Sequence, residues 1–394
     1  MVDTRTHVVV LGGGYAGTVA ANRVRMAENA DVTLVNPRPR FVERIRLHQL
    51  VAGRDDAVVD YAEVLGAGIR LVTDRATRID AAARTVALGS GDALDYDYLI
   101  YAVGSTAAVP ASVPGATEFA YPIAEFEYAT RLRAALDDLP ATTALTVVGA
   151  GSTGIETAAE LAEQGHPVTL VCGGALGPYL SAPARRSAAR RLAKLGVTVL
   201  DGPAATVTAV TRHTVTLADG REVPSPLTVW ATGFGVPDLA AASGLSTDAL
   251  GRLLTDESLT SVDDPRIVAA GDAVAPSNQP LRMCCASAAP LGAHAADTVL
   301  SRMAGTAPPP LNVALAGQCI SLGSRAGVFQ LSHTDDTATP LYLGGRTGAT
   351  LKTAALRASV TLLAREARKP GSLRWLKSAK RAQRLAGSEK VTAT

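Results

Sequence analysis

Gly12-Gly13-Gly14-Tyr15-Ala16-Gly17 follows a short apolar run, His7 to Leu11, and opens into an alanine-rich stretch; Gly149-Ala150-Gly151-Ser152-Thr153-Gly154 repeats the arrangement after Leu145 to Val148. In a strand-loop-helix setting the first glycine (Gly12, Gly149) permits a tight turn. The second (Gly14, Gly151) lets backbone amides reach a pyrophosphate, and the third (Gly17, Gly154) lets helix pack on strand. The helix amino terminus adds positive potential for the phosphates. Tyr15 and Ala16 lie within the first loop and belong to the same cradle. One loop serves one dinucleotide, so the pair predicts an α/β chain with two Rossmann-like units.

Outward from the first loop, Asp31 to Val35 reads as a buried strand ending at Asn36, where a ribose-binding acid ordinarily stands. The asparagine amide oxygen still accepts a hydroxyl bond but brings no charge. Phe41 to Ala52 (FVERIRLHQLVA) reads as a helix. Singly, Glu43, Arg44, Arg46, His48 and Gln49 are ordinary members of a solvated face; as a group they wall a cofactor. Residues 69–98 form strands and turns punctuated by Gly89-Ser90-Gly91. Tyr98 to Val103 is an apolar strand that leaves through Gly104, where the chain passes close to the cofactor and exits the unit.

The second unit follows the same plan: a helix over Glu125 to Leu139, the second loop, a helix over Ile155 to Gln164, a strand Pro167 to Cys172, a basic helix Arg185 to Leu195, and Val229 to Phe234. Trp230-Ala231-Thr232-Gly233 echoes Tyr101-Ala102-Val103-Gly104. An internal repeat on this scale predicts one nucleotide-binding domain inserted in another, 111–240 within 1–110 and 241–304. Ile267 to Val274 is a further apolar strand, outside both repeats, carrying Gly271-Asp272. An Asp at a strand end aimed into the cleft accepts bonds from sugar-chain hydroxyls; a turn-capping Asp is the plainer alternative. The helix Ser287 to Leu300, with Pro290 and Leu291 near its start, points its amino terminus into the same cleft and favours an electron-rich cofactor there. After Pro308-Pro309-Pro310, a hairpin over 312–330, a strand at Leu341 to Thr347 and a helix over Thr350 to Arg368 make a short α+β domain, 305–394, that caps the cleft.

Composition agrees with an enzyme of this size: 394 residues, 47% hydrophobic and 4% aromatic, enough for several domains with cores of their own. The net charge of +2 is unevenly spread, because Lys352 to Thr394 holds eleven Lys or Arg against two Glu, +9 on a body of −7. That tail reads either as a solvated helix packed on its own subunit or across a homodimer, or as a basic amphipathic segment lying on an anionic membrane with Leu362, Leu363, Leu373, Trp375 and Leu376 inserted. No aromatic interleaving accompanies the charge, so nucleic acid is not an expected partner. The polar start, Met1 to Thr6, and the lack of about 18 consecutive apolar residues point to a cytoplasmic protein, peripheral at most to the inner face of the cell membrane. Cys172, Cys284, Cys285 and Cys319 fit neither a zinc site nor a CxxC pair, and no metal is expected.

The ordered set Gly12 to Gly17, Tyr101 to Gly104, Gly149 to Glu156, Trp230 to Gly233 and Gly271-Asp272 resembles the two-dinucleotide-binding-domain flavoproteins of glutathione-reductase-like fold, over residues 7–300. Within that family the chain looks most like the type II NADH:quinone oxidoreductases and the apoptosis-inducing-factor-like quinone reductases. Disulfide reductases carry a CxxxxC pair after the second strand, and no cysteine here precedes residue 172. The resemblance implies FAD and NAD(P)H as cofactors, hydride transfer between stacked rings, and a quinone-like acceptor. It implies that Asp272 binds the ribityl chain, that Glu156 lies near the flavin–nicotinamide contact, and that the turn from Ser287 to Leu291 stabilises the reduced ring. His48 and His294 are the candidates to deliver a proton. One departure weakens the quinone assignment: Ala286-Ser287-Ala288-Ala289-Pro290-Leu291 stands where type II dehydrogenases usually read AQxAxQ. A tailoring flavoprotein acting on an aromatic or quinonoid metabolite, a ferredoxin reductase and a redox sensor without turnover are the alternatives. Cys172-Gly173-Gly174 lacks the acid that selects NADH; Arg185, Arg186, Arg190 and Arg191 read as a solvated helix face, so NADH is weakly favoured over NADPH.

Overall fold

The computed structural model describes residues 5–392, with side chains described to residue 386. Its frame is two five-stranded parallel sheets of the same plan. The first runs in the order Ile267–Ala269, Tyr98–Tyr101, Thr6–Leu11, Ala30–Asn36, Arg70–Thr73, and the second in the order Ala120–Pro122, Leu227–Trp230, Leu145–Val148, Val168–Val171, Thr198–Leu200. Runs such as Val8-Val9-Val10 and Leu145–Val148 are buried throughout, as parallel strands covered on both faces must be. The outermost strand of the first sheet arrives last in the chain, after the second sheet is complete, so the second unit is inserted in the first. Each unit adds a three-stranded antiparallel sheet, Ala76–Asp80 with Thr85–Leu88 and Ala93–Asp95, and Val207–Val210 with Thr214–Leu217 and Glu222–Pro224. The two linkers pair with each other, Thr106–Ala107 against Phe234–Gly235.

Two expected elements came out differently. Phe41 to Ala52 is not one helix but a strand, Arg40–Val42, a 3-10 turn, Arg44–Arg46, and a short helix, Leu47–Val51. Tertiary contacts decide this: Phe41 is wholly buried, edge-on to Tyr15 and Tyr61, in a strand paired with Val58–Asp60, while Leu47 and Val51 enter the core of the second unit. Ile267 to Val274 likewise breaks at Gly271, whose φ is +77°; Val274–Pro276 continues beside Leu253–Thr255.

The carboxy-terminal sheet, Gly317–Ser321, Gly327–Ser332 and Ala338–Gly344, is antiparallel and is followed by the helix Gly345–Arg368. The expected insertion of the tail does not fit the packing, because Leu363 and Leu373 are buried in the first core and Trp375 packs against it. Glu366 locks the turn in place: fully buried, it accepts from the Gly371 and Leu373 amides (2.7 and 2.6 Å), the Ser372 hydroxyl (3.1 Å) and Arg23 Nη1 (3.3 Å). The Trp375 indole donates to the Asn312 carbonyl at 2.9 Å. Leu362 and Leu376 alone of the expected set stay exposed. Among the described residues, no helix is long and apolar enough to cross a membrane.

Candidate active site

Both glycine loops take one shape. Gly12 and Gly149 have φ of +98° and +107°, and a side chain on either would strike the backbone at Ala102 or at Ala231-Thr232. A side chain on Gly17 or Gly154 would strike the carbonyl of Gly12 or Gly149, which is why each helix starts in contact with its own loop. Gly14 and Gly151 are different: their φ values are ordinary, −77° and −71°, and nothing lies within 4 Å of where a Cβ would stand. Neither helix start carries a side-chain cap, so its first amides remain available to an anion.

Asn36 is engaged within the loop itself. Its Oδ1 accepts from the Gly13 amide at 2.9 Å and its Nδ2 donates to the Arg38 carbonyl at 2.7 Å, while the Tyr61 hydroxyl donates to the Gly13 carbonyl at 2.8 Å. A neutral amide bridges a backbone donor and a backbone acceptor, which a carboxylate cannot do. Asn36 therefore shapes the loop.

Opposite the loop, Asp272 Oδ2 accepts from the Ser105 hydroxyl at 2.7 Å, and its buried Oδ1 has no partner among the described residues. Arg44 braces this wall: Nη1 donates to the Ser105 carbonyl and hydroxyl (2.9 and 3.0 Å), and Nε and Nη2 to the Ala124 carbonyl (3.1 and 2.8 Å), just beyond the positive-φ exit at Gly104. An unbonded buried carboxylate oxygen costs about 1–3 kcal/mol or more, and ribityl hydroxyls would remove that cost. The open cradle and this orphaned oxygen fit FAD. Gly233, the counterpart of Gly104, also has positive φ, +78°.

The helix expected from Ser287 runs from Cys285 to Met303, so the turn facing the cleft begins two residues earlier. Ala288 already donates to the Cys284 carbonyl at 3.0 Å; Pro290 has no N–H, and Leu291, buried in the first core, contributes by packing. A side chain on Gly292 would collide with the Ala16 carbonyl, which fixes this helix against Tyr15–Val24.

Glu156 lies on the second loop's helix, Ser152–Glu163, buried beneath the carboxy-terminal sheet. Oε1 meets Lys352 Nζ at 2.8 Å and accepts from the Ser321 amide at 2.8 Å; Oε2 stands 3.6 Å from His48 Nδ1. Burial alone would raise its pKa, but Lys352 and then His48 bring it below the ordinary value. Burial pushes His48 down to about 4 against the pull of Glu156, so the imidazole is neutral at pH 7 and delivers no proton as imidazolium. Its Nε2 is buried without a partner among the described residues. Burial and then Cys284 hold the Cys285 thiol protonated, up to about 12, with the Lys352 and Asp272 charges acting on it in opposite senses. His294 is not part of this group. It is buried farther along the helix, beside Asp297 and the backbone of Glu257 and Pro309. Lys352 escaped the sequence reading, where it was counted only as the first charge of a basic tail. A lone Lys after Ala349-Thr350-Leu351 was the one local signal.

The sequence pattern of the pyridine nucleotide-disulphide oxidoreductases matches residues 6–292. An NADH dehydrogenase-like protein of Mycobacterium tuberculosis is 31% identical over 82% of this chain and 87% of its own length. The type II NADH:quinone oxidoreductase of the same organism is 27% identical over 77% and 74%. In fold, the chain is similar to the sulfide:quinone oxidoreductase of Aquifex aeolicus, with a TM-score of 0.78 at 20% identity and 93% of each chain covered.

Proposed function

The chain belongs to the pyridine nucleotide-disulphide oxidoreductase family, and from that premise we propose that it is an FAD-dependent NAD(P)H oxidoreductase whose second substrate is a quinone-like acceptor. In this reading 1–110 and 241–304 hold FAD, 111–240 holds NAD(P)H, and 305–394 forms the acceptor side. Bound FAD supplies the redox chemistry, taking a hydride from a reduced nicotinamide and giving two electrons to the acceptor. Gly12, Gly14, Gly17 and the Tyr15–Val24 amides would hold the FAD pyrophosphate, Asp272 the ribityl hydroxyls, and Gly149, Gly151 and Gly154 the nicotinamide dinucleotide.

The observation that carries the acceptor assignment is the Glu156–Lys352 pair beside an open apolar sheet face. Cys319, Phe329 and Leu343 stand in one cross-strand row, and Leu341, two residues before Leu343, extends that face to the surface. Leu341 and Leu343 are 67% and 43% exposed. A flat apolar acceptor suits that row, and the Lys352 ammonium at its inner end stabilises charge that develops on an acceptor oxygen. Glu156 positions Lys352, and His48 stands neutral beside Glu156, adding no third charge. The same exposed leucines, with Arg346 just beyond, are the proposed peripheral contact with an anionic bilayer, in place of an inserted tail. This reading is tested by loading the protein with FAD, following the loss of flavin absorbance on anaerobic mixing with NADH or NADPH, and offering a menaquinone analogue, ferredoxin and oxygen in turn. Recovery of absorbance with the quinone at the highest rate supports it. Recovery only with ferredoxin or oxygen, or no bleaching at all, rejects it.

A further inference from the structure

In the second parallel sheet Val148 pairs with Val171, and the Gly149 amide bonds the Val171 carbonyl at 2.8 Å. In the first sheet Leu11 pairs with Val35, and the Gly12 amide bonds the Val35 carbonyl at 2.8 Å. Cys172 therefore occupies the place that Asn36 holds in the first unit, the strand end that reads an adenosine ribose. A thiol offers a ribose hydroxyl only a weak acceptor. One strand over, Val171 pairs with Leu200 and the Cys172 amide bonds the Leu200 carbonyl at 2.8 Å, which puts Asp201 laterally beside Cys172 at the carboxyl edge of the sheet. Asp201 is exposed, and no hydrogen bond or ion pair occupies its carboxylate among the described residues. The thiol registers the proximity: burial and then the Asp201 charge raise Cys172 to about 12.

The ground around this carboxylate is open and tied down. The Gly202 amide bonds the Gly174 carbonyl at 2.7 Å, joining the loops that leave the two strands. Gly151, Gly174 and Gly202 each have nothing within 4 Å of a Cβ position. Ligands of such sheets lie beyond the carboxyl ends of the strands, so a nucleotide whose pyrophosphate rests at Gly151 lays its ribose over this edge.

We infer that Asp201, supplied by the neighbouring strand, does the work of the missing acid at Cys172: it accepts from the adenosine ribose hydroxyls and turns away a 2′-phosphate, making the site selective for NADH. The inference rests on the reading of the second loop as the NAD(P)H site. Of the four arginines of the Ala182–Lys194 helix, Arg191 is paired with Glu163 and Arg185 bonds the Leu180 carbonyl, while Arg186 and Arg190 are exposed.

The test is equilibrium binding of NAD⁺ and NADP⁺ by calorimetry to the FAD-loaded protein, together with kcat and KM for NADH and NADPH, in the native chain, Asp201→Asn, and Asp201→Asn combined with Cys172→Asp. The native chain is expected to bind NAD⁺ at least tenfold more tightly than NADP⁺. Asp201→Asn should shrink that ratio about tenfold or more through KM and Kd, with kcat for NADH little changed, a charge-assisted bond being lost and a like-charge repulsion removed. Cys172→Asp should restore the ratio by putting the acid in its ordinary place. Native preference for NADP⁺, or an Asp201→Asn ratio equal to the native one, overturns the inference. Failure of both NAD⁺ and NADP⁺ to bind, with neither NADH nor NADPH bleaching the flavin, instead overturns the reading of the site on which it rests.

Discussion

Replacing Lys352 by Met removes the partner of a buried carboxylate and keeps most of the stem's volume. The Lys352 and Glu156 side chains are 12% and 6% exposed and their charged atoms are 2.8 Å apart, so at an effective dielectric constant of about 20 the gross attraction is about 6 kcal/mol. Desolvation offsets part of that, and removing one member of such a pair costs about 3–5 kcal/mol. The pH dependence fixes the sign. In the native chain the folded pKa of Glu156 lies below its ordinary 4.5, so its contribution is present above that value and lost as pH falls through the folded one. Without Lys352, burial dominates and the folded value rises above 4.5, so the variant grows weaker as pH climbs from about 4.5 toward neutrality. Urea unfolding of native, Lys352→Met, Glu156→Gln and double-variant protein at pH 5 and pH 7.5 reads both effects. Lys352→Met should lose about 3–5 kcal/mol at pH 7.5 and less at pH 5, and the double variant should recover at least 1 kcal/mol of that loss. A Lys352→Met protein within about 1 kcal/mol of native at pH 7.5, or additive single losses, would refute the buried pair.

Four further outcomes follow from the same structure. His48, lowered by burial from 6.5 to about 4, withdraws stability as pH falls from 6.5 toward 4, about 3 kcal/mol in all, and His48→Gln should flatten that part of a urea-midpoint against pH curve. Gly14→Ala meets open space and an ordinary φ, so the melting temperature of the FAD-free protein should stay within about 2 °C of native while FAD affinity falls by at least tenfold, measured by flavin retention. Gly17→Ala, whose Cβ strikes the Gly12 carbonyl, should instead unfold more readily whether or not FAD is present, by thermal melting. Leu341→Asp with Leu343→Asp should reduce cosedimentation with anionic vesicles and raise KM for a long-chain quinone, leaving reduction of the flavin by NADH unchanged.

The two nucleotide cradles were legible in the sequence because each is local. A glycine forced to positive φ, a glycine left open to phosphate and a glycine pressed on its own loop all lie within six consecutive residues, Gly12 to Gly17 and Gly149 to Gly154. The repeat of those loops, with Tyr101 to Gly104 and Trp230 to Gly233, carried the insertion of one unit in the other as well. What joins distant parts of the chain was not legible. Phe41 to Val51 has the composition of a helix, but Phe41 is claimed by Tyr15 and Tyr61, and Leu47 and Val51 by the other unit's core. That Asn36 also ties the Gly13 amide to the Arg38 carbonyl could not be read from its place at a strand end. Lys352 became a partner of Glu156 only when the fold brought the carboxy-terminal helix within reach of the second loop's helix, and the tail's leucines became core only when Glu366 closed their turn onto Arg23. The glycine loops are set by neighbours in sequence and can be read there; the backbone of Phe41 to Val51 and the charge state of a buried group are set by whatever the fold brings within a few ångströms.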